Sequence, residues 1–446
     1  MSDRANEEKT DLTRRDFLRS ATAAAGAGMM VSQVSMGQDS AGPEDQLNVA
    51  LIGAGEQGRS RLMPQCLKIP GIRFQAVCDI WEYSQKFASR TLKAYDQPVT
   101  VYEDYQEMLA SENDLDAAIV ATPDFTHAPI TKACLDAGLH VYCEKEMSNT
   151  LKGAREIVKA AQESDQLVQI GHQRRTNPRF MHAQKMIQEG NLGRITHVRG
   201  QWNRATILNR STPKKYMMDE EKLKKHGYDS MNHLRNWRWF KKYAGGPMCD
   251  LGSHHIDIFN WFLGTPPSAV QATGGLDYWG EKTDREWWDN VLALYEYQTE
   301  EGPVRGFYQV ANTTSFRGYY TAYMGFQGSL LISEQSQKGY MVREQRAEKQ
   351  DWVDLAEKSE QMGQEAIELE VGKTKQKTKQ GMDVKEAANK PPHQPHLENF
   401  FASIRGEQEL TCPPEIGYET AVTVLRANEA VRKAKKVQFD ESEFKV

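Results

Sequence analysis

From residue 47 to residue 143 the apolar positions fall into two alternating patterns. Short continuous runs, too brief for helices, stand at 47–52, 73–78, Thr100–Tyr102, Asp116–Ala121 and His140–Cys143. Such runs suit strands buried on both faces of a parallel sheet. Between them the spacing predicts helices over 56–68, 82–94, Tyr105–Leu109 and Pro129–Ala137. This alternation implies right-handed βαβ units. Beyond residue 171 the pattern changes: 194–203, 290–298, 303–312, 319–327 and 329–333 read as strands separated by turn signals. A second, largely antiparallel sheet is therefore expected. From 335 to 392 the chain turns to Lys, Glu and Gln with few apolar residues, which reads as a charged, solvated insertion, partly helical or loose. Helical spacing returns at His396–Ile404 and Gly417–Ala434, segments that can pack back on the first domain. The fold class is α/β, with domains set at 46–165 and 166–446.

The first apolar run breaks into Gly53-Ala54-Gly55-Glu56-Gln57-Gly58, a G-x-G-x-x-G sequence between a strand and a helix. In that context the first glycine permits a tight turn. The second lets backbone approach a pyrophosphate, and the third lets helix and strand pack closely. The helix N-terminus favours negative charge. Asp79 ends the next strand 21 residues beyond Gly58, close to the spacing of about 20 at which an acid meets ribose hydroxyls. A Rossmann nucleotide site follows, with NAD favoured over NADP because Asp79 repels a 2′-phosphate. Ligands of such sheets lie beyond the strand C-termini. Thr122, Pro123 and His127 after the fourth run, and Glu144 and Lys145 after the fifth, converge there with Gly53, Gly55, Glu56, Gln57 and Gly58.

Composition adds boundaries. With 56 Lys and Arg against 61 Asp and Glu, the 446-residue chain carries a formal charge of −5. That balance gives no argument for nucleic acid or an anionic membrane surface. Residues 1–45 are set apart: Arg14 and Arg15 precede a weakly apolar stretch, Ala21–Val34, that is too polar for a membrane span. The pattern resembles a twin-arginine export signal, implying the export machinery as a partner and a periplasmic or otherwise exported location. The six cysteines form neither C-x-x-C pairs nor zinc spacings; they read as small buried hydrophobes, with no metal site.

The densest polar segment is Gly245–Asp257, GGPMCDLGSHHID. If a helix starts near Pro247, Asp250 and His254 share one face. A carboxylate beside an imidazole orients it and steadies the imidazolium, so His254 can act as general base. Asp257 lies on the same side. Trp202, His233, Arg235, Asn236, Trp237, Arg238 and Trp239, with His172, Arg174 and Arg175, are candidates for the substrate side. Aromatic faces with guanidinium and amide donors suit a polyhydroxylated sugar, including one with an acid group.

GAGEQG, Cys78-Asp79, ATPDFTH at 121–127, AGLHVYCEK at 137–145 and GGPMCDLGSHHID, in this order, resemble the Gfo/Idh/MocA oxidoreductases. The resemblance spans roughly 45–334 and the segment from His396. It implies a Rossmann domain followed by an α/β domain with an open, mostly antiparallel sheet, often used for homo-oligomer contacts. It implies Lys145 as the catalytic-site lysine, near both nicotinamide and substrate hydroxyl, with Asp250 and His254 completing the set. The family's Glu-Lys-Pro reads Glu144-Lys145-Glu146 here. The implied activity is NAD(P)-dependent hydride transfer with a sugar, cyclitol or glycoside. A glycoside hydrolase working by transient oxidation and elimination could use the same residues.

Overall fold

The computed structural model describes residues 46–205, 209–335, 339–347, 357–359, 364–368 and 390–446; the twin-arginine segment lies outside them. The first sheet contains β1 (Leu47–Ile52), β2 (Ile72–Cys78), β3 (Thr100–Tyr102), β4 (Ala117–Val120), β5 (His140–Cys143) and β6 (Val168–Ile170). Their spatial order is β3-β2-β1-β4-β5-β6, every pair parallel. This is the doubly wound order whose crevice lies where β1 and β4 diverge. The central strands are apolar throughout because helices cover both faces: Val49, Ala50, Leu51, Ala117, Ala118 and Ile119 are all fully buried. β6, at Val168–Ile170, completes this sheet beyond β5.

The second sheet has ten strands: β7 (Ile195–Asn203), β8 (Ala269–Gly275), β9 (Asn290–Thr299), β10 (Gly302–Ala311), β11 (Tyr319–Gly325), β12 (Gly328–Ile332), β13 (Gly339–Arg343), β14 (Glu357–Ser359), β15 (Gln364–Glu368) and β16 (Val437–Gln438). Every neighbouring pair is antiparallel except β7 with β10. Along β9 the pleat alternates, with Val291, Ala293, Tyr295 and Tyr297 buried while Leu292 and Leu294 stand exposed. The buried face packs on the helices Pro178–Gln188, Ser253–Leu263 and Pro414–Lys433. Two expectations need correction here. Within 335–392, β13, β14 and β15 are strands that extend the sheet rather than a loose or helical insertion, because β13 and β15 continue the ladder from β12 by backbone hydrogen bonds. The second concerns β8, which the apolar pattern misses: only its first two residues, Ala269 and Val270, are buried.

The closing helices bind the two domains together. Leu397, Phe400 and Phe401 of Gln394–Ile404 join the core under β1 and β2, while Pro414–Lys433 contributes to the cores of both domains. A separate aromatic cluster of Trp81, Tyr228, Trp239, Phe240 and Tyr243 ties the segment before the Asp-His helix to the first domain. All six cysteines are free and buried. No helix among the described residues is long and apolar enough to cross a membrane.

Candidate active site

The C-terminal ends of β1, β2, β4 and β5 open on a cleft of about 790 Å³, roofed by the second domain. Its walls include Gly53, Gly55, Glu56, Gln57, Asp79, Thr122, Pro123, Glu144, Lys145, Trp202, Arg235, Trp237, Asp250 and His254. Residues far apart in sequence thus meet as the strand-end argument requires.

Gly53 has φ +92, and a Cβ there would stand 2.7 Å from the Ala121 backbone. Only glycine fits that turn. At Gly58 an added Cβ would lie 2.1 Å from the Gly53 carbonyl oxygen, so the third glycine sets how closely helix and strand approach. Around Gly55 the space is open, with nothing within 4 Å of an added Cβ. That open cradle, at a helix N-terminus, fits a pyrophosphate. The helix that follows is helical over 56–66 and widens into a π turn at Gly58–Leu62. Asp79 accepts from the Trp81 backbone N–H at 2.8 Å. Burial pushes its carboxyl up to about 6, leaving it mostly ionised at neutral pH.

Lys145 donates from Nζ to the Asp250 carbonyl at 2.5 Å and faces its carboxylate at 3.6 Å. The Lys145–Glu146 peptide is cis. Asp250 also accepts from Arg238 Nε at 3.1 Å and lies 3.7 Å from Arg204. Burial opposes its ionisation, yet Lys145, Arg238 and Arg204 hold its carboxyl well below the usual range. The helix behind it starts with a π turn at Met248–Gly252 and continues as Ser253–Leu263. His254 lies one turn on, its ring 5.7 Å from Trp202, which stacks on Tyr319 at 4.5 Å. Burial, then the charges of Lys145 and Arg174, hold this imidazole well below its ordinary value, so it is neutral. Its Nδ1 is buried with no hydrogen-bond partner among the described residues.

The expected Asp250–His254 hydrogen bond is absent among the described residues. Three cations outbid a neutral ring for one carboxylate. Asp257 likewise serves Arg175, at 2.8 Å, rather than His254. Eight other sequence candidates do not line the cleft: Gly58, His127, His172, Arg174, Arg175, His233, Asn236 and Trp239. Gly58 acts through packing, as above. His127 is buried below the loops, its Nδ1 2.8 Å from the Glu146 carbonyl and its Nε2 2.8 Å from the Thr122 carbonyl. Two acceptors require two donors, hence an imidazolium. Burial opposes that charge, but Cys143, Asp124 and the Glu146 carbonyl raise it to about 9. His127 thus pins two cleft loops together from behind. His172 is fully enclosed and pushed down to about 4, chiefly by burial. Arg174 donates to the His254 carbonyl and pairs with Glu334, both at 3.2 Å, and lies over Trp202.

Several cleft residues escaped the sequence pattern: Trp81, Arg204, Arg210, Tyr319, Glu334 and His393. Arg204 carried a usable signal, since it stands two residues past Trp202 at the end of a predicted strand. His393 carried none. It reaches the cleft from the far side of the charged segment and contacts Gln57 at 3.0 Å, while Gln57 donates to Glu144 at 3.0 Å. Residues 209–243 cross the cleft as a strap. Trp81 donates to the Tyr216 carbonyl at 2.7 Å, Lys222 meets Glu103 at 2.5 Å, and Arg210 pairs with Glu56.

Glu146 offers a test of this buried charge. One carboxyl oxygen accepts from the Met147 N–H and the other has no partner among the described residues. Burial pushes the group up to about 8. Between its unfolded value near 4.5 and about 8, the folded state holds the proton and the unfolded state does not. Stability contributed by the protonated form is thus complete below 4.5 and lost as pH rises. Glu146→Gln should remove this slope, so its Tm relative to wild type should climb from pH 5 to pH 8. The increment is at most about 1.4 kcal/mol per pH unit. A pH-independent difference in thermal melts would contradict the buried, protonated assignment.

Residues 47–172 match the family model described as an oxidoreductase family, NAD-binding Rossmann fold, and residues 184–439 match its C-terminal alpha/beta domain. The chain belongs to the Gfo/Idh/MocA oxidoreductase family. It is similar to a putative oxidoreductase, YteT, of Bacillus subtilis, at 28% identity over 39% of this chain and 35% of that protein. Inositol 2-dehydrogenase of Salmonella typhimurium is 28% identical over 37% of this chain and 49% of the relative. The chain therefore spans between a third and half the length of these curated relatives. Among solved structures, the aldose-aldose oxidoreductase of Caulobacter crescentus has a TM-score of 0.65 at 19% identity, covering 88% of this chain and all of that one. A levoglucosan dehydrogenase in complex with NADH and levoglucosan has a TM-score of 0.66 at 19% identity, covering 88% and 99%. At that identity the likeness shows the fold.

Proposed function

We propose that this Gfo/Idh/MocA protein is an NAD-dependent oxidoreductase acting on a secondary alcohol of a sugar, cyclitol or glycoside. The meeting of a dinucleotide loop with Lys145, Asp250 and His254 in one cleft carries this reading. Relatives named inositol 2-dehydrogenase support the polyol class. The Gly53–Gly58 loop would hold the pyrophosphate, Asp79 the ribose hydroxyls, and Thr122, Pro123 and Glu144 the remaining wall. Bound NAD supplies the hydride acceptor or donor. His254, kept neutral, takes the hydroxyl proton. Lys145, fixed by the Asp250 carbonyl, donates to the same oxygen and stabilises charge developing on it. Asp250 holds Lys145 and the two guanidiniums in place. The Trp202–Tyr319 stack gives the sugar ring a flat face.

The 209–243 strap supports a cofactor that stays bound through turnover, as does the reading of Arg14 and Arg15 as an export signal for an already folded protein. A homo-oligomer would use the open face of the second sheet, where Leu292 and Leu294 stand exposed. Product analysis on a panel of inositols, aldoses and aryl glycosides tests the reaction. Net ketone and NADH support the oxidoreductase; aglycone release without net NADH would instead establish oxidation–elimination chemistry.

Cofactor choice is a separate prediction. Asp79 should accept the 2′-hydroxyl and repel a 2′-phosphate. Titration of apo protein should show NAD binding more tightly, and Asp79→Ala should narrow the gap. Equal binding of NADP to wild type would overturn the role of Asp79.

A further inference from the structure

We propose that the sugar bound here carries a carboxylate, held by Arg204 and Arg238 at the rim of the catalytic centre. The inference rests on the oxidoreductase reading and names its substrate class. It begins with charge. Around the cleft, Arg210 meets Glu56, Arg235 lies over Trp81, and behind the wall Arg174 meets Glu334 and Arg175 meets Asp257. At the substrate end one carboxylate, Asp250, faces Lys145, Arg238 and Arg204 together. Lys145 is taken by the reacting hydroxyl and the Asp250 carbonyl. Three cations thus face a single carboxylate, leaving net positive charge beside the sugar. An anionic substituent on the sugar matches it.

Geometry points the same way. Arg204 is loosely matched, 3.7 Å from Asp250, and its Nε is shielded from solvent with no partner among the described residues. Its backbone is nevertheless fixed, because its N–H donates to the Ala311 carbonyl at 2.8 Å. A firmly seated residue whose guanidinium is only loosely held by Asp250 and whose Nε is unpartnered among the described residues is suited to recognition of a carboxylate. Arg238 lies over the Trp237 ring at 4.2 Å, a cation–π contact at the cleft wall. Both arginines line the same cleft as Trp202 and His254. A pyranose resting on the Trp202–Tyr319 stack, with one hydroxyl at His254, would therefore meet guanidinium rather than water at its edge. A neutral sugar would leave that excess charge half-desolvated and unmatched, which penalises it relative to the acid.

The test uses the full chain loaded with NAD, with glucuronate, glucose and a glucose phosphate as probes. Reduction of bound nucleotide is followed by absorbance and binding by calorimetry. Wild type should favour glucuronate over glucose by roughly 10- to 100-fold in kcat/KM, the range for a hydrogen bond to a charged group. Arg204→Gln should collapse that ratio mainly through KM, and Arg204→Lys should recover part of it. Calorimetry should show the same loss of glucuronate affinity, and retained nucleotide will report that each variant has folded. Glucose used as well as glucuronate, a preference for the phosphate, or an unchanged ratio in Arg204→Gln would each overturn this inference alone. Bound NAD that none of these sugars, nor any inositol or aldose, reduces would overturn the oxidoreductase reading and this inference with it.

Discussion

Lys145→Ala and His254→Ala should each lower turnover by roughly 10²–10⁴-fold, the range for loss of acid–base assistance, while NAD remains bound. His254 is neutral, with no partner at Nδ1 among the described residues, the state a base must be in before it takes a proton. Lys145 is held at 2.5 Å from the Asp250 carbonyl, so its ammonium is placed before substrate arrives. Removing either leaves the glycine loop and Asp79 untouched. Native mass spectrometry should accordingly find nucleotide at wild-type occupancy in both variants. The double variant should fall little below the worse single one, because the two groups act on one proton and one oxygen. Near-normal rates in either single variant would dismiss the site as drawn.

The second large effect separates two glycines. Gly55→Asp puts bulk and charge at the loop glycine whose added Cβ has no atom of the described residues within 4 Å. The fold should survive, with apo thermal stability close to wild type, but nucleotide should be lost. If wild type holds NAD at ~1,000 times its dissociation constant, the variant forgoes about 4 kcal/mol of ligand stabilisation. Gly58→Ala should fail differently. Its Cβ would lie 2.1 Å from a backbone oxygen, which cannot rotate away, so helix and strand must separate. That variant should melt earlier even as apo protein. Nucleotide content and apo Tm, measured together, distinguish the cases; nucleotide retained by Gly55→Asp would remove the pyrophosphate assignment.

Much of this fold was legible because its signals are local. The runs that became β1, β2, β4 and β5 are apolar since both faces of a parallel sheet are covered, and the G-x-G-x-x-G turn needs no distant partner to be recognised. Signals that depend on partners were not legible. Ala269–Gly275 pairs fully with β9 but buries little, so its apolar pattern is weak. The strands within 335–392 are held by the ladder from β12 rather than by composition. Spacing placed Asp250 and His254 on one helix, but the cations that claim Asp250 come from Lys145, Arg204 and Arg238 on other elements. Likewise the sequence places His127 beside the cleft, whereas two carbonyls from separate loops occupy its ring nitrogens.

The central claim is that this cleft holds NAD and passes hydride between it and a sugar or polyol alcohol. It is tested most directly on protein purified without added nucleotide, by native mass spectrometry before and after a sugar acid is supplied and the nicotinamide absorbance is followed. The account predicts one nucleotide per chain, reduced by the sugar in wild type and left oxidised in His254→Ala. Protein that carries no nucleotide and gains none on incubation with NAD, or bound NAD that the His254→Ala variant reduces as fast as wild type, would contradict it.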